Sequence, residues 1–100
     1  MEKRKAHHDL EAIKCIVREM GMDAFTRTAQ ENARLMGLNA RAALEVVLGL
    51  RSAMLFKSMT THADNTLWQD VYHAPCGNGK TAYIKLTRRA GAVVIQFKEK

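Results

Sequence analysis

Lys57-Ser58-Met59-Thr60-Thr61 and Leu67-Trp68-Gln69-Asp70-Val71-Tyr72 decide the fold of this chain. Both segments read as β-strands, but polar residues interrupt their apolar alternation where a plain sheet carries valine or threonine. The turn formers Ala63-Asp64-Asn65 lie between them, so the two are expected to pair as an antiparallel hairpin. Side chains alternate between the faces of a strand, which lets Lys57 and Gln69 project from neighbouring strands onto one surface. With Met59 and Trp68 beside them, that surface has a cation, an amide and apolar area with which to grip a phosphate and a base. The competing reading is a solvated sheet face.

The period-two pattern runs on from this hairpin. Strands are expected at 54–61, 67–73, 80–87 and 92–98, with Ala82, Ile84 and Leu86 on one side of the third and Tyr83, Lys85 and Thr87 on the other. The Gly- and Pro-rich stretch 74–79 is a loop, and Arg88-Arg89-Ala90-Gly91 turns the chain into the last strand. Upstream the period is helical. Asp9 caps a helix with Leu10, Ile13, Val17 and Met20 on one face, and Gly21 closes it. Thr28-Ala29-Gln30-Glu31 matches a capping box, and Ala29, Ala33 and Met36 follow on one face before Gly37. Asn39 caps a third helix lined by Ala43, Val46, Val47 and Leu50. Residues 23–26 between the first two helices fit a lone strand or a loop. The expected architecture is α+β, with helices packed on one face of a four-strand antiparallel meander and the other face left for function.

One hundred residues with 47% hydrophobic content fit a single domain spanning 1–100 with its own core. No run of about 18 apolar residues is present and no hydrophobic signal region follows Met1-Glu2-Lys3-Arg4-Lys5, so a cytoplasmic protein without a membrane partner is expected. Cys15 and Cys76 form no CxxC or zinc-ligand pattern, and the four histidines lack i, i+4 spacing, so neither metal nor cofactor is expected. His7-His8 reads as solvated tail. Sixteen Lys and Arg against ten Asp and Glu favour a polyanionic partner or an acidic protein. Lys80, Lys85, Arg88, Arg89, Lys98 and Lys100 crowd the last third.

The motifs narrow the chemistry further. Gly77-Asn78-Gly79-Lys80-Thr81 ends like a P-loop but lacks its first glycine and opens a strand rather than a helix. What remains is one polar residue per strand: Lys57, Gln69, Tyr83 and Lys98. RNA carries its own nucleophile, the ribose 2′-hydroxyl, so a ribonuclease needs only a base, an acid and cations for the phosphate. Lysine serves as base when neighbouring cations depress its pKa, and otherwise as an electrostatic clamp. Tyrosine transfers a proton or stacks on a base, and glutamine holds a phosphate oxygen or a base edge. Against this stands the ordinary reading of a half-buried packing tyrosine and solvated lysines.

The segments Lys57-Ser58-Met59-Thr60-Thr61, Trp68-Gln69-Asp70-Val71-Tyr72 and Phe97-Lys98-Glu99-Lys100, with Met1-Glu2-Lys3-Arg4 and Gly49-Leu50, resemble the MqsR toxins of bacterial toxin–antitoxin systems nearly end to end. The resemblance implies a RelE-like α+β fold and a sequence-specific endoribonuclease that cuts messenger RNA at GC-containing sites. It also implies an antitoxin that binds zinc through its amino-terminal domain and DNA through its other, so that operator DNA is reached only through the antitoxin. The family's active-site positions fall on Lys57, Gln69, Tyr83 and Lys98. Phe56, Met59, His73, Lys85, Arg88 and Arg89 are the accompanying expected RNA contacts. Three positions depart from the family pattern: Phe56 replaces a tyrosine, His73 an arginine, and Ala90-Gly91 a histidine-bearing turn, with Arg88 and Arg89 as its possible substitutes. Two rival functions are a nucleic-acid-binding module or co-regulator without catalysis, and a basic domain that docks an acidic protein.

Overall fold

The computed structural model describes residues 1–100. Its helices are α1 (Leu10–Met20), α2 (Arg27–Leu35) and α3 (Ala40–Leu48), and their caps explain their limits. The Asp9 carboxylate accepts from Glu11 N and Ala12 N, satisfying amides that a helix start leaves without partners. Gly21 ends α1 at φ +60°, a conformation glycine adopts without a Cβ penalty. Asn39 caps α3 by accepting from Ala42 N. The capping-box reading of Thr28 is corrected: the cap of α2 is Thr26, whose Oγ1 accepts from Ala29 N at 3.0 Å. Phe25 forms a parallel bridge with Ile95, so the chain stays extended through Thr26 and the helix begins immediately after it.

Strands β1 (Glu2–Lys3), β2 (Leu55–Thr60), β3 (Trp68–Pro75), β4 (Thr81–Arg89) and β5 (Ala92–Glu99) form one antiparallel sheet in the order β1-β2-β3-β4-β5. The four expected strands are present, with the second and third each running two residues further, and a fifth joins them at the amino terminus. Glu2 pairs with Met59 and Lys3 with Ser58, and Thr60 N donates to Met1 O at 3.0 Å. The far edge is covered too. Thr26 N donates to Ile95 O at 3.1 Å and the Asn32 amide donates to Phe97 O at 3.0 Å.

The helices cover one face only. Ile13, Val17, Ala29, Ala33, Ala43 and Val47 meet Tyr72, Ile84, Leu86, Val93, Ile95 and Phe97 in a single cluster of 20 buried residues. Burial of each large apolar side chain contributes about 1.5–3 kcal/mol. Alanines at the inner positions of α2 let the helix lie close to β5, where Phe25 and Phe97 pack with ring centroids 5.6 Å apart.

A bulge in β2 shapes the open face. Leu55 pairs with Tyr72 and Lys57 with Val71, so two steps along β2 match one along β3. Leu55 packs on the core and Ser58 is fully buried, although they are three residues apart. A regular strand would place them on opposite faces. The bulge absorbs the extra residue, and Phe56 and Lys57 both turn outward: Phe56 is 39% exposed and stacks on His73.

Candidate active site on the open sheet face

Cross-strand register sorts the outward side chains into rows. His73 pairs with Tyr83 and Tyr83 with Lys98, and the bulge adds Phe56 to this row. The next row runs Lys57, Val71, Lys85, Gln96. A third holds Met59 and Gln69, with Thr87 paired to Val94. Lys57, Gln69, Tyr83 and Lys98 therefore share one face, opposite the helices.

The first row is an aromatic ladder ending in a cation. Phe56 and His73 stack with centroids 4.5 Å apart at 21°, and His73 meets Tyr83 at 5.5 Å and 40°. The Lys98 ammonium lies 5.0 Å from the Tyr83 ring centroid, within cation–π range. Burial, with help from Lys100, holds His73 below the usual imidazole pKa. At neutral pH His73 thus offers a flat uncharged ring, not the permanent cation that an arginine would supply.

The second row carries the charge. Lys85 is partly buried, and its pKa is lowered first by that burial, then by the Lys98 and Lys57 ammoniums. Three lysines so gathered form a site for an anion such as a phosphate. The Lys57 ammonium is 2.7 Å from Glu2 Oε1 and 5.4 Å from the Phe56 ring centroid. Glu2 arrives with β1, and sequence reasoning missed it because two charged residues carry no strand periodicity.

The other expected contacts are dispersed. Gln69 Nε2 donates to Thr87 Oγ1 at 3.2 Å. At about 3.3 Å per residue, Thr87 stands roughly 13 Å along β4 from Tyr83, so Gln69 and Met59 lie a nucleotide or more from the aromatic row. Arg89 is farther still, beside Asp64 of the β2–β3 loop, whose carboxyl pKa it helps lower after Thr66. Alternation puts Arg88 opposite buried Val93, on the helix side. Alternation also removes Trp68 from the surface expected to hold Gln69 and Met59. Adjacent strand residues face opposite ways, and Trp68 is covered by His7, stacked at 5.2 Å, and by the Lys3 ammonium at 4.2 Å.

His7-His8 is accordingly not a loose tail. Asp70, 1% exposed, accepts from His7 N, from His8 N at 2.8 Å and from the Ser58 hydroxyl at 2.6 Å. His8 Nε2 also bonds Trp68 O at 2.9 Å. A carboxylate in the middle of a strand needs buried donors, and the amino-terminal backbone supplies two of them. This attachment holds β1, and with it Glu2, against the site.

Two comparisons relate the chain to known proteins. The sequence model of the family described as "Motility quorum-sensing regulator, toxin of MqsA" matches residues 5–99. The chain is also 39% identical over 100 residues to the mRNA interferase toxin MqsR of Escherichia coli strain K12, with both chains covered in full. The chain belongs to the MqsR toxin family.

Proposed function

We propose that this member of the MqsR toxin family is a metal-independent endoribonuclease that cleaves messenger RNA as the toxin of a type II toxin–antitoxin pair. The name of its full-length relative, an mRNA interferase toxin, supports the substrate and the reaction class. The observation that carries the reading on this chain is the gathering of Lys57, Lys85 and Lys98 beside the Tyr83 ring, with the Lys85 pKa lowered.

Such a site supports transesterification. The ribose 2′-oxygen bonds to the adjacent phosphorus while the bond from phosphorus to the 5′-oxygen breaks, leaving a 2′,3′-cyclic phosphate and a free 5′-hydroxyl. Lys57 and Lys98 hold the non-bridging oxygens and stabilise the charge that grows on them. Lys85, its pKa brought down by burial and like charge, takes the 2′-hydroxyl proton. Tyr83 donates a proton to the departing oxygen. Phe56 and His73 stack the flanking base, and Gln69 with Met59 holds the strand farther along. Glu2 orients the Lys57 ammonium until a phosphate oxygen competes for it.

The same reading extends to cutting preferentially at GC-containing sites in the cytoplasm, within one domain. Its neutralising partner is an antitoxin with a zinc-binding domain and a DNA-binding domain, through which the complex reaches operator DNA. The test is cleavage of a messenger RNA in the presence of a chelator. We expect wild-type protein to cut and Lys57→Ala to lose at least a hundredfold in rate while keeping its fold. Binding of RNA without cleavage would replace this reading with a non-catalytic module.

A further inference from the structure

The open face continues past β5 into a cleft of about 400 Å³, formed where the sheet meets the first turns of α2. Tyr83, Lys85 and Lys98 line one side of it, and these are residues of the cluster described above. Thr28 and Asn32 of α2 line the other, with Gln96 of β5 at the floor between them; the reaction scheme uses none of the three, and the sequence reading gives none of them a part in the site.

The two sides suit different parts of a nucleotide. Ammonium groups attract phosphate whatever base it carries, whereas amides and hydroxyls have directional donors and acceptors that read a base edge. Asn32 is set for such reading. Its amide nitrogen donates to Phe97 O at 3.0 Å, which fixes the carboxamide and leaves Oδ1 as an acceptor without a partner in the protein. Gln96, exposed and in register with Lys85, adds a freely turning amide directly beside the lysine row. The exposed Thr28 hydroxyl completes the wall.

We propose that this cleft is the subsite for the RNA nucleotide adjoining the scissile phosphate, with Asn32 and Gln96 as the residues that select its base. Lys98 holds the phosphate at the cleft mouth, Lys85 stands beside the 2′-hydroxyl as its base, and the Tyr83 side chain flanks the nucleotide. Asn32 Oδ1 accepts from an N–H of its Watson–Crick edge, while Gln96 pairs with the neighbouring edge atom. Because a fixed acceptor rejects an edge that presents only an acceptor there, the cleft confers preference at one position beside the cut. This assignment rests on the endoribonuclease reading, which places the scissile phosphate at the lysines.

The test profiles cleavage sites on a random-sequence RNA for wild type, Gln96→Leu and Asn32→Asp, alongside titration of the wild type with each of the four nucleoside 5′-monophosphates by NMR. Gln96→Leu alters an exposed side chain with no structural bond, so its fold is secure. Asn32→Asp keeps the acceptor but removes the donor to Phe97 O. We expect Gln96→Leu to flatten base preference at one flanking position by about tenfold, near the lower end of what one base contact discriminates. We expect Asn32→Asp to shift it, and the mononucleotides to move the amide signals of Thr28, Asn32 and Gln96. If wild type cuts and both variants keep its base preference at every position, the subsite is refuted while the nuclease stands. If wild type does not cut, the nuclease reading falls. The cleft is then judged by the titration, where undisturbed Thr28, Asn32 and Gln96 signals refute it as a nucleotide site.

Discussion

Asp70→Ala is expected to detach the amino terminus and to destabilise the whole domain. The carboxylate is almost wholly buried and accepts from two backbone amides and one hydroxyl. Hydrogen bonds to a charged group contribute about 1.5–3 kcal/mol each, which sets an upper bound of roughly 4.5–9 kcal/mol. Two effects reduce it. The amides of His7 and His8 regain water once the tail leaves, and the desolvation penalty of the carboxylate, several kcal/mol in a protein interior, disappears with it. Ser58, fully buried, keeps only Gln69 O at 3.4 Å and stays poorly satisfied. The net loss is then about 2–4 kcal/mol. At roughly 4–8 °C per kcal/mol for a domain of this length, Tm falls by roughly 8–32 °C. Urea unfolding followed by circular dichroism measures the loss, and amide exchange at residues 2–8 reports the detachment. A urea midpoint equal to wild type, or His7 and His8 amides that remain protected in the variant, would refute the reasoning.

Tyr83→Phe should lower RNA cleavage by roughly 10²–10⁴-fold with Tm little changed, because the ring remains and only the proton-transferring hydroxyl is lost; wild-type turnover excludes that role. Lys98→Gln should move the acidic limb of the pH–rate profile to higher pH. The Lys98 charge lowers the Lys85 pKa, so removing it raises that pKa and delays loss of the proton as pH rises; an unmoved or acid-shifted limb excludes Lys85 as the base. Ala90→Asn should stabilise the protein by about 0.5–1 kcal/mol. Ala90 and Gly91 form a two-residue hairpin turn with φ of +48° and +84°, where asparagine is at home and alanine is strained, and urea unfolding gives the sign.

The elements that sequence reasoning reached share one property: their signals are local. Asp9, Gly21 and Asn39 mark helix ends because the capping bonds reach only two to four residues along the chain. The alternation of Ala82, Ile84 and Leu86 against Tyr83, Lys85 and Thr87 gives the faces of β4 because each strand residue reports its own side. What escaped depended on distant parts of the chain. Thr26 caps α2 because Phe25 is tied to Ile95, about 70 residues away in sequence. β1 exists because Asp70 and Trp68 hold His7, and nothing in Glu2-Lys3 itself announces a strand. For the candidate site, face assignment was legible for the quartet but spacing along the strands was not. Hence Lys57, Gln69, Tyr83 and Lys98 read as one group on one face, whereas Gln69 and Tyr83 stand two rows apart in the sheet. The error over Trp68 came from taking closeness in sequence as closeness in space, which alternation forbids for adjacent strand residues.

The bulge at Phe56 shows how one strand meets two demands that a regular strand cannot. The core needs Leu55 beside Tyr72, and the Asp70 network needs the Ser58 hydroxyl inside. With strict alternation, satisfying both is impossible, since positions three apart face opposite ways. Inserting one extra residue between them restores both inward positions and leaves two consecutive residues outside. Those two are Phe56, which begins the aromatic row, and Lys57, which begins the cationic row. The buried carboxylate contributes again by fixing the amino terminus, because the same tail carries Glu2 to the Lys57 ammonium. Packing on the helix side and chemistry on the open side are therefore not independent properties of β2 and β3. Ser58 and Asp70 face inward, Lys57 and Gln69 outward, and each inward residue stabilises the register that positions its outward neighbour.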